Sequence, residues 1–171
     1  MLDKRKKYIL FITFSILLFI SSVSYLASAS TFSYNISKSE VLHDPNDDIN
    51  FIDFNNAGNK LAAGTANGHA YIYNTWNWYL VKDIYQISGE SEAVKYNPDD
   101  TFLAVGHGSD MSIFNTSDWS KEAILENASV KIEAIDFNND GSLLVGGSLD
   151  ENVYIYNTSD WTLQETLTDA G

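Results

Sequence analysis

No cysteine occurs in the 171 residues, which excludes a disulfide scaffold and any zinc site built on thiolates. Ten glycines and two prolines are far too few for a collagen-like chain. Positive charge is also scarce, with 10 Lys and Arg against 23 Asp and Glu. Four of the ten, Lys4, Arg5, Lys6 and Lys7, lie in the first seven positions; leaving out residues 1–29, 6 Lys face 22 acidic residues, a net of 6 − 22 = −16, with no Arg. Phosphate contacts need clustered Lys and Arg, so neither nucleic acid nor an anionic membrane surface is an expected partner of this body. The acidity reads as a solvated surface, suited to high salt. No catalytic set is legible either: His43, His69 and His107 are scattered and read as loop histidines, and Ser and Thr gather at turns. No enzymatic activity, catalytic residue, cofactor or metal is therefore expected. The acidic turns Asp44–Asp48, Asp99–Asp100 and Asn138–Asp140 lack the D-x-[DN]-x-[DN]-G spacing of a helix-loop-helix calcium site and read as hairpin turns.

The one long apolar run follows the basic cluster. Tyr8 to Ile20 is apolar, and Ala27, Ser28, Ala29 form an A-x-A pattern suited to cleavage before Ser30. Residues 1–29 thus read as a signal peptide, with an uncleaved N-terminal membrane anchor as the rival, since Tyr8 to Ala29 is long enough as a helix to cross a bilayer. Either way the basic end stays cytoplasmic and the body is expected outside the cell or at its surface.

The body repeats. Phe54, Tyr96 and Phe137 each stand 10 residues before Gly64, Gly106 and Gly147. The pairs Tyr73-Asn74, Phe114-Asn115 and Tyr156-Asn157 follow, and each aromatic stands five residues before Trp78, Trp119 or Trp161. The asparagines are 41 and 42 residues apart. A half copy precedes, with Tyr34 and Asn35 matching Tyr156 and Asn157. Within each unit, short runs rich in Val, Ile, Leu, Tyr and Phe alternate with turn clusters, giving four strands per unit. Asn138-Asn139-Asp140-Gly141 reads as a hairpin turn of the kind that needs positive φ at both central residues. Gly64, Gly106 and Gly147 each follow a strand, where a missing side chain suits close backbone approach.

One such unit cannot bury both faces of its sheet, so the copies must stack as blades around an axis. The pattern F-N-x-D-G-x-x-L-x-x-G, a turn Asp or Asn, and an aromatic-polar pair ending the third strand resembles the WD-repeat β-propeller family over most of residues 31–171. The dipeptide naming that family is replaced here by Tyr/Phe-Asn, and the family's Gly-His is missing. Of the buried His, Ser/Thr, Asp, Trp network that the resemblance implies, the Ser/Thr position holds Ala63, Val105 and Gly146. Only the turn residues Asn67, Asp110 (one position off) and Asp150 correspond.

The expected fold is therefore all-β, a β-propeller-type stack of about three complete four-stranded antiparallel blades plus a half blade, preceded by an N-terminal hydrophobic helix. The half blade, its last two strands, covers 30–48, and the blades cover 49–90, 91–130 and 131–171. At about 42 residues per blade a seven-bladed ring needs about 290 residues. The chain is accordingly expected to be a fragment of a longer propeller; association of chains into a composite ring and a distorted small propeller are the alternatives. The repeated Trp78, Trp119 and Trp161 are expected to pack each blade against the next. Asn35, Asn115, Asn127 and Asn157 fit N-x-[ST] and are N-glycosylation candidates in an exported chain. The resemblance implies a macromolecule-binding platform, with an unidentified protein or other macromolecule as partner and membrane contact only through residues 1–29. The alternative is part of an extracellular propeller enzyme whose catalytic residues lie in missing blades.

Overall fold

The computed structural model describes residues 42, 45, 47–85 and 89–168. The expected signal or anchor helix over 1–29 and nearly all of the half blade lie outside the described residues. Twelve strands form three four-stranded sheets, each an antiparallel meander in chain order. The first blade contains β1 (Ile49–Phe54), β2 (Lys60–Thr65), β3 (Ala70–Asn74) and β4 (Leu80–Ile84). The second contains β5 (Ser91–Tyr96), β6 (Phe102–His107), β7 (Asp110–Asn115) and β8 (Lys121–Leu125). The third contains β9 (Ile132–Phe137), β10 (Leu143–Ser148), β11 (Asn152–Asn157) and β12 (Thr162–Thr168). No helix occurs among the described residues. This is the all-β stack of four-stranded antiparallel sheets that the repeat required.

The same local chemistry shapes each blade. Asn55, Asn97 and Asn138 follow the first strand directly, and their Oδ1 atoms accept the N–H of Lys60, Phe102 and Leu143 at 2.8, 2.8 and 2.9 Å, closing the first turn. That turn differs from the one expected. Gly141 is left-handed (φ 72°) and its N–H meets the Asn138 carbonyl at 2.9 Å, while Asp140 is not left-handed. A single left-handed residue closing a four-residue turn suffices, because the Asn side chain already spans the gap.

At the other hairpin, the Oδ1 of Asn74, Asn115 and Asn157 accepts the N–H of Trp76, Ser117 and Ser159 at 2.8, 2.9 and 2.9 Å. The chain then passes through left-handed Trp78, Trp119 and Trp161, with φ of 59°, 62° and 58°. Each fourth strand re-enters the ladder across a bulge beside the repeated aromatic, at Ile72/Tyr73, Ile113/Phe114 and Ile155/Tyr156. A threonine ties the two turns of a blade together: Thr75 and Thr158 hydroxyls donate to the Gly58 and Gly141 carbonyls at 2.8 and 2.7 Å, and Thr116 donates to Asp100.

The cores lie between sheets. Across the first seam, between the first and second blades, Ala62, Ile72 and Ile84 meet Val94, Tyr96, Leu103, Val105 and Phe114. Across the second seam, Ala104, Met111, Ile113 and Leu125 meet Ile132, Phe137, Leu144, Tyr154 and Tyr156. Gly64 and Gly106 sit inside β2 and β6 rather than after them, and their role is close approach. A Cβ on Gly64 would stand 2.5 Å from Ser91 Oγ, and one on Gly106 3.0 Å from Ile135. The corresponding Gly147 in β10 would meet only Ala134, at 3.9 Å.

Trp119 and Trp161 pack against the preceding blade, not the following one: Trp119 lies on the first-seam core and Trp161 meets Phe102 edge-on at 5.2 Å. His107 departs from the loop reading, whereas His69 keeps it, in the turn between β2 and β3. His107 ends β6 at 3% exposure, its Nε2 2.8 Å from Ser112 Oγ, because the strand turns that position into the blade. His69 is half-buried, stacked on Tyr71 and Tyr85 with ring centroids 5.1 and 4.3 Å away.

Candidate functional site

The first strands β1, β5 and β9 run side by side, so their ends and the turns after them converge on one mouth. The mouth is a cavity of about 330 Å³ lined by Asp53, Lys95, Asp136, Asn56, Pro98 and Asn139, among others. The position before the repeated aromatic alternates in sign around it: Asp53, Lys95, Asp136. Lys95 Nζ lies 3.4 Å from Asp53 Oδ1 and 3.7 Å from Asp136 Oδ1, so one ammonium bridges three blades. Asp53 is further fixed by the Tyr96 N–H, 2.8 Å from its Oδ2. Asp136 is the open member, its side chain 67% exposed against 19% for Asp53. With one ammonium between two carboxylates, the mouth keeps a net negative charge and an accessible carboxylate edge.

Asp100 holds the rim. It occupies the left-handed position of its turn (φ 64°) where the other blades have Gly58 and Gly141. Its carboxylate reaches the first blade's turn and accepts the Asn56 N–H at 2.6 Å, the Ala57 N–H at 2.8 Å and Asn55 Nδ2 at 3.0 Å. Successive backbone N–H groups aimed at one carboxylate form an anion nest, which offsets the backbone cost of a side chain at positive φ. In the third blade the position favours Gly, because its φ is 72° and a Cβ there would stand 3.3 Å from Pro98 Cδ. Burial raises the Tyr96 phenol above its ordinary value, and the carboxylates of Asp53 and Asp100 raise it further.

The turn carboxylates serve their own loops. Asp99 accepts the Thr101 hydroxyl at 2.6 Å and N–H at 3.0 Å, and Asp140 accepts Ser142 Oγ at 2.6 Å and N–H at 2.9 Å. Asp118 and Asp160 do the same for Ser120 and Thr162. These bonds hold all four carboxyls below their usual range. Asp150 is desolvated, which works to raise it, but bonds from the Ser129 N–H, the Tyr154 hydroxyl and Ser148 outweigh that and hold it well below. The other two turn residues singled out from the sequence act differently: Asn67 accepts the Thr65 hydroxyl at 2.6 Å, and Asp110 accepts Ser109 Oγ at 3.1 Å.

Of the repeat positions, Phe54 and Tyr96 with Phe137 line the mouth, whereas Tyr73, Phe114 and Tyr156 are seam or face residues and Asn74, Asn115 and Asn157 end the third strands, at the same end of each sheet but two strands across from the mouth. The N-x-[ST] residue Asn127 is exposed and its Oδ1 accepts the Tyr156 hydroxyl at 2.9 Å; Asn35 lies outside the described residues. Sequence reasoning passed over Asp53, Lys95 and Asp136 as site residues and read Asp100 only as part of an acidic hairpin turn. The alternation of sign at one repeat position was the signal available for the first three.

Residues 37–74 and 119–157 match the WD40 family (WD domain, G-beta repeat). Among solved structures, the chain is similar to one titled Structure of U3-55K, with a TM-score of 0.72 and 14% identity over 75% of this chain and 42% of that one. It is also similar to one titled Crystal Structure of Mitotic Checkpoint Complex, with a TM-score of 0.65 and 18% identity over 69% of this chain and 36% of that one. The chain thus spans less than half the length of both. No curated protein matches its sequence.

Proposed function

The chain is a WD-repeat-like propeller protein, and from that premise we propose that it is an exported or surface-anchored platform whose mouth binds a segment of another protein. The observation that carries this is the convergence of three blades on the Asp53, Lys95, Asp136 mouth, a cavity of about 330 Å³ with rigidly hydrogen-bonded walls. A net negative mouth in an acidic body selects a basic or amide-rich segment by charge complementarity. One structural neighbour was solved within a Mitotic Checkpoint Complex, which supports protein partners for this architecture in general. The basic-then-apolar residues 1–29 support export, with the body outside the cytoplasm. Equal units numbering about half those of a closed ring support a chain that forms part of a larger propeller. Platform function, not catalysis, is the reading, because the one ammonium at the mouth is held between two carboxylates and Asp53 is further bound by the Tyr96 N–H.

The test is binding of a synthetic Lys- and Asn-rich peptide to the full chain, compared with Asp136→Lys and Asn139→Lys variants. Binding that weakens with salt and is lost in both variants is expected. Equal binding by all three proteins would remove the mouth as the site. Export is tested separately, by whether a body-borne tag is accessible to protease on intact cells.

A further inference from the structure

A second cleft lies at the outer rim of the first seam, between the edge strand β4 and the start of β8. It has a volume of about 350 Å³, and its walls include Lys82, Lys121, Phe114, Trp119 and Tyr85. Two of the six body lysines face one cleft, and residues 54–82 hold no Asp or Glu at all. Lys82 is exposed and makes no ion pair among the described residues. Lys121 Nζ lies 5.7 Å over the Phe114 ring. The one acid in the wall, Asp83, is engaged by His69, with 2.7 Å between Oδ1 and Nδ1.

The repeat does not dictate this chemistry. At the matching rim of the second seam, Ala123 stands in place of Lys82, Leu163 in place of Lys121, and Phe102 in place of Lys60. There Phe102 fills the space against Trp161, with ring centroids 5.2 Å apart. The first rim is thus open and cationic where its counterpart is plugged and apolar.

We propose that this cleft binds an extended acidic peptide segment. Lys82 and Lys121 take its Asp or Glu carboxylates, and Trp119 takes an apolar side chain between them. A peptide rather than a bare anion fits because β4 is the edge strand of its sheet among the described residues, where a further strand can add to its outward N–H and C=O groups. The local lysines offset the repulsion that the acidic body exerts on such a ligand elsewhere. This site is separate from the mouth and does not depend on it.

The test is calorimetric titration of the full chain with a synthetic peptide of alternating Glu and Leu. Lys82→Gln and Lys121→Gln should each weaken binding about tenfold, the loss of one charge-assisted contact. Lys131→Gln, which lowers net charge equally outside the cleft, should leave it unchanged, and the Asp136→Lys mouth variant should too. Lys82→Gln removes no contact seen in the fold, so it remains informative if Lys121→Gln unfolds the chain. Absence of binding, or equal binding by the Lys82→Gln and Lys121→Gln double variant, would overturn the proposal. Tighter binding of oligogalacturonate or inorganic phosphate than of the peptide would overturn it as well, by assigning the cleft to acidic sugars or free anions.

Discussion

The two seams join the same kinds of strand and bury matching positions, yet they are held differently. At the turn end of the first, Asp100 takes three donors from the neighbouring blade and Asp53 takes the Tyr96 N–H. At the turn end of the second, the tie is the longer Lys95–Asp136 ion pair at 3.7 Å, and Gly141 carries no side chain to reach across. At the outer rim the contrast reverses: the second seam is closed by Phe102 and Trp161, and the first is left open between Lys82 and Lys121. A repeat therefore fixes where blades touch, while the few positions free to vary decide whether a given contact is polar or apolar. Openness at one rim is tolerable because the other end of that seam is tied by charge-assisted hydrogen bonds.

The sharpest way to break this contrast is at the tryptophans. Trp161→Ala should cost about 3 to 4 kcal/mol in urea unfolding, and Trp119→Ala, beside the open cleft, about half of that. Equal losses would mean that the rims are equivalent. Asp100→Ala should cost about 2 to 3 kcal/mol, since three donors lose a charged acceptor. Asp100→Gly should recover about 1 kcal/mol of that by relaxing the left-handed backbone, whereas Gly141→Asp at the other seam should destabilise by crowding Pro98. Were Gly141→Asp to stabilise, the second seam would have room for the same latch.

Smaller effects come from titration. Asp99, Asp118, Asp140, Asp150 and Asp160 are held below 3.8 in the fold. As pH falls, the unfolded chain takes up these protons first, so stability is full above about pH 5 and erodes as pH drops below about 4. At the alkaline end, burial raises Tyr156 from 10.0 to about 12, with Tyr154 and Asp110 adding to it. The unfolded chain then loses its proton first, and stability should fall between pH 10 and 12. Thermal melts across pH check both limbs. The smallest change is Lys60→Phe, which copies Phe102 into the first rim; it should stabilise by about 0.5 to 1 kcal/mol through buried apolar area and close the acidic-peptide cleft.

Period, strand number and the paired Asn-Trp turn were legible because each is written within one copy and restated in the others. Asn55, Asn97 and Asn138 recur since the first turn needs a side-chain acceptor at that point, so local chemistry and repeat signal coincide. What escaped was contact between copies. The reach of Asp100 to Asn56 and Ala57 depends on how two blades lie together, and at its own position the residue reads only as part of an acidic hairpin turn. His107 read as a loop residue because its neighbours Gly106 and Gly108 resemble a turn, whereas β6 carries it into the blade beside Ser112. The tryptophans were identified correctly as a recurring set, but the side on which they pack is a matter of handedness that composition does not carry.

The seams join consecutive sheets, and within each sheet every strand pairs with its neighbour in sequence. Assembly of the described blades therefore never has to bring together segments much farther apart than one repeat, and loop-closure entropy stays modest at every step. Such a polypeptide is suited to vectorial folding: as it emerges end first from a ribosome or a translocation pore, each new sheet finds its docking partner already formed.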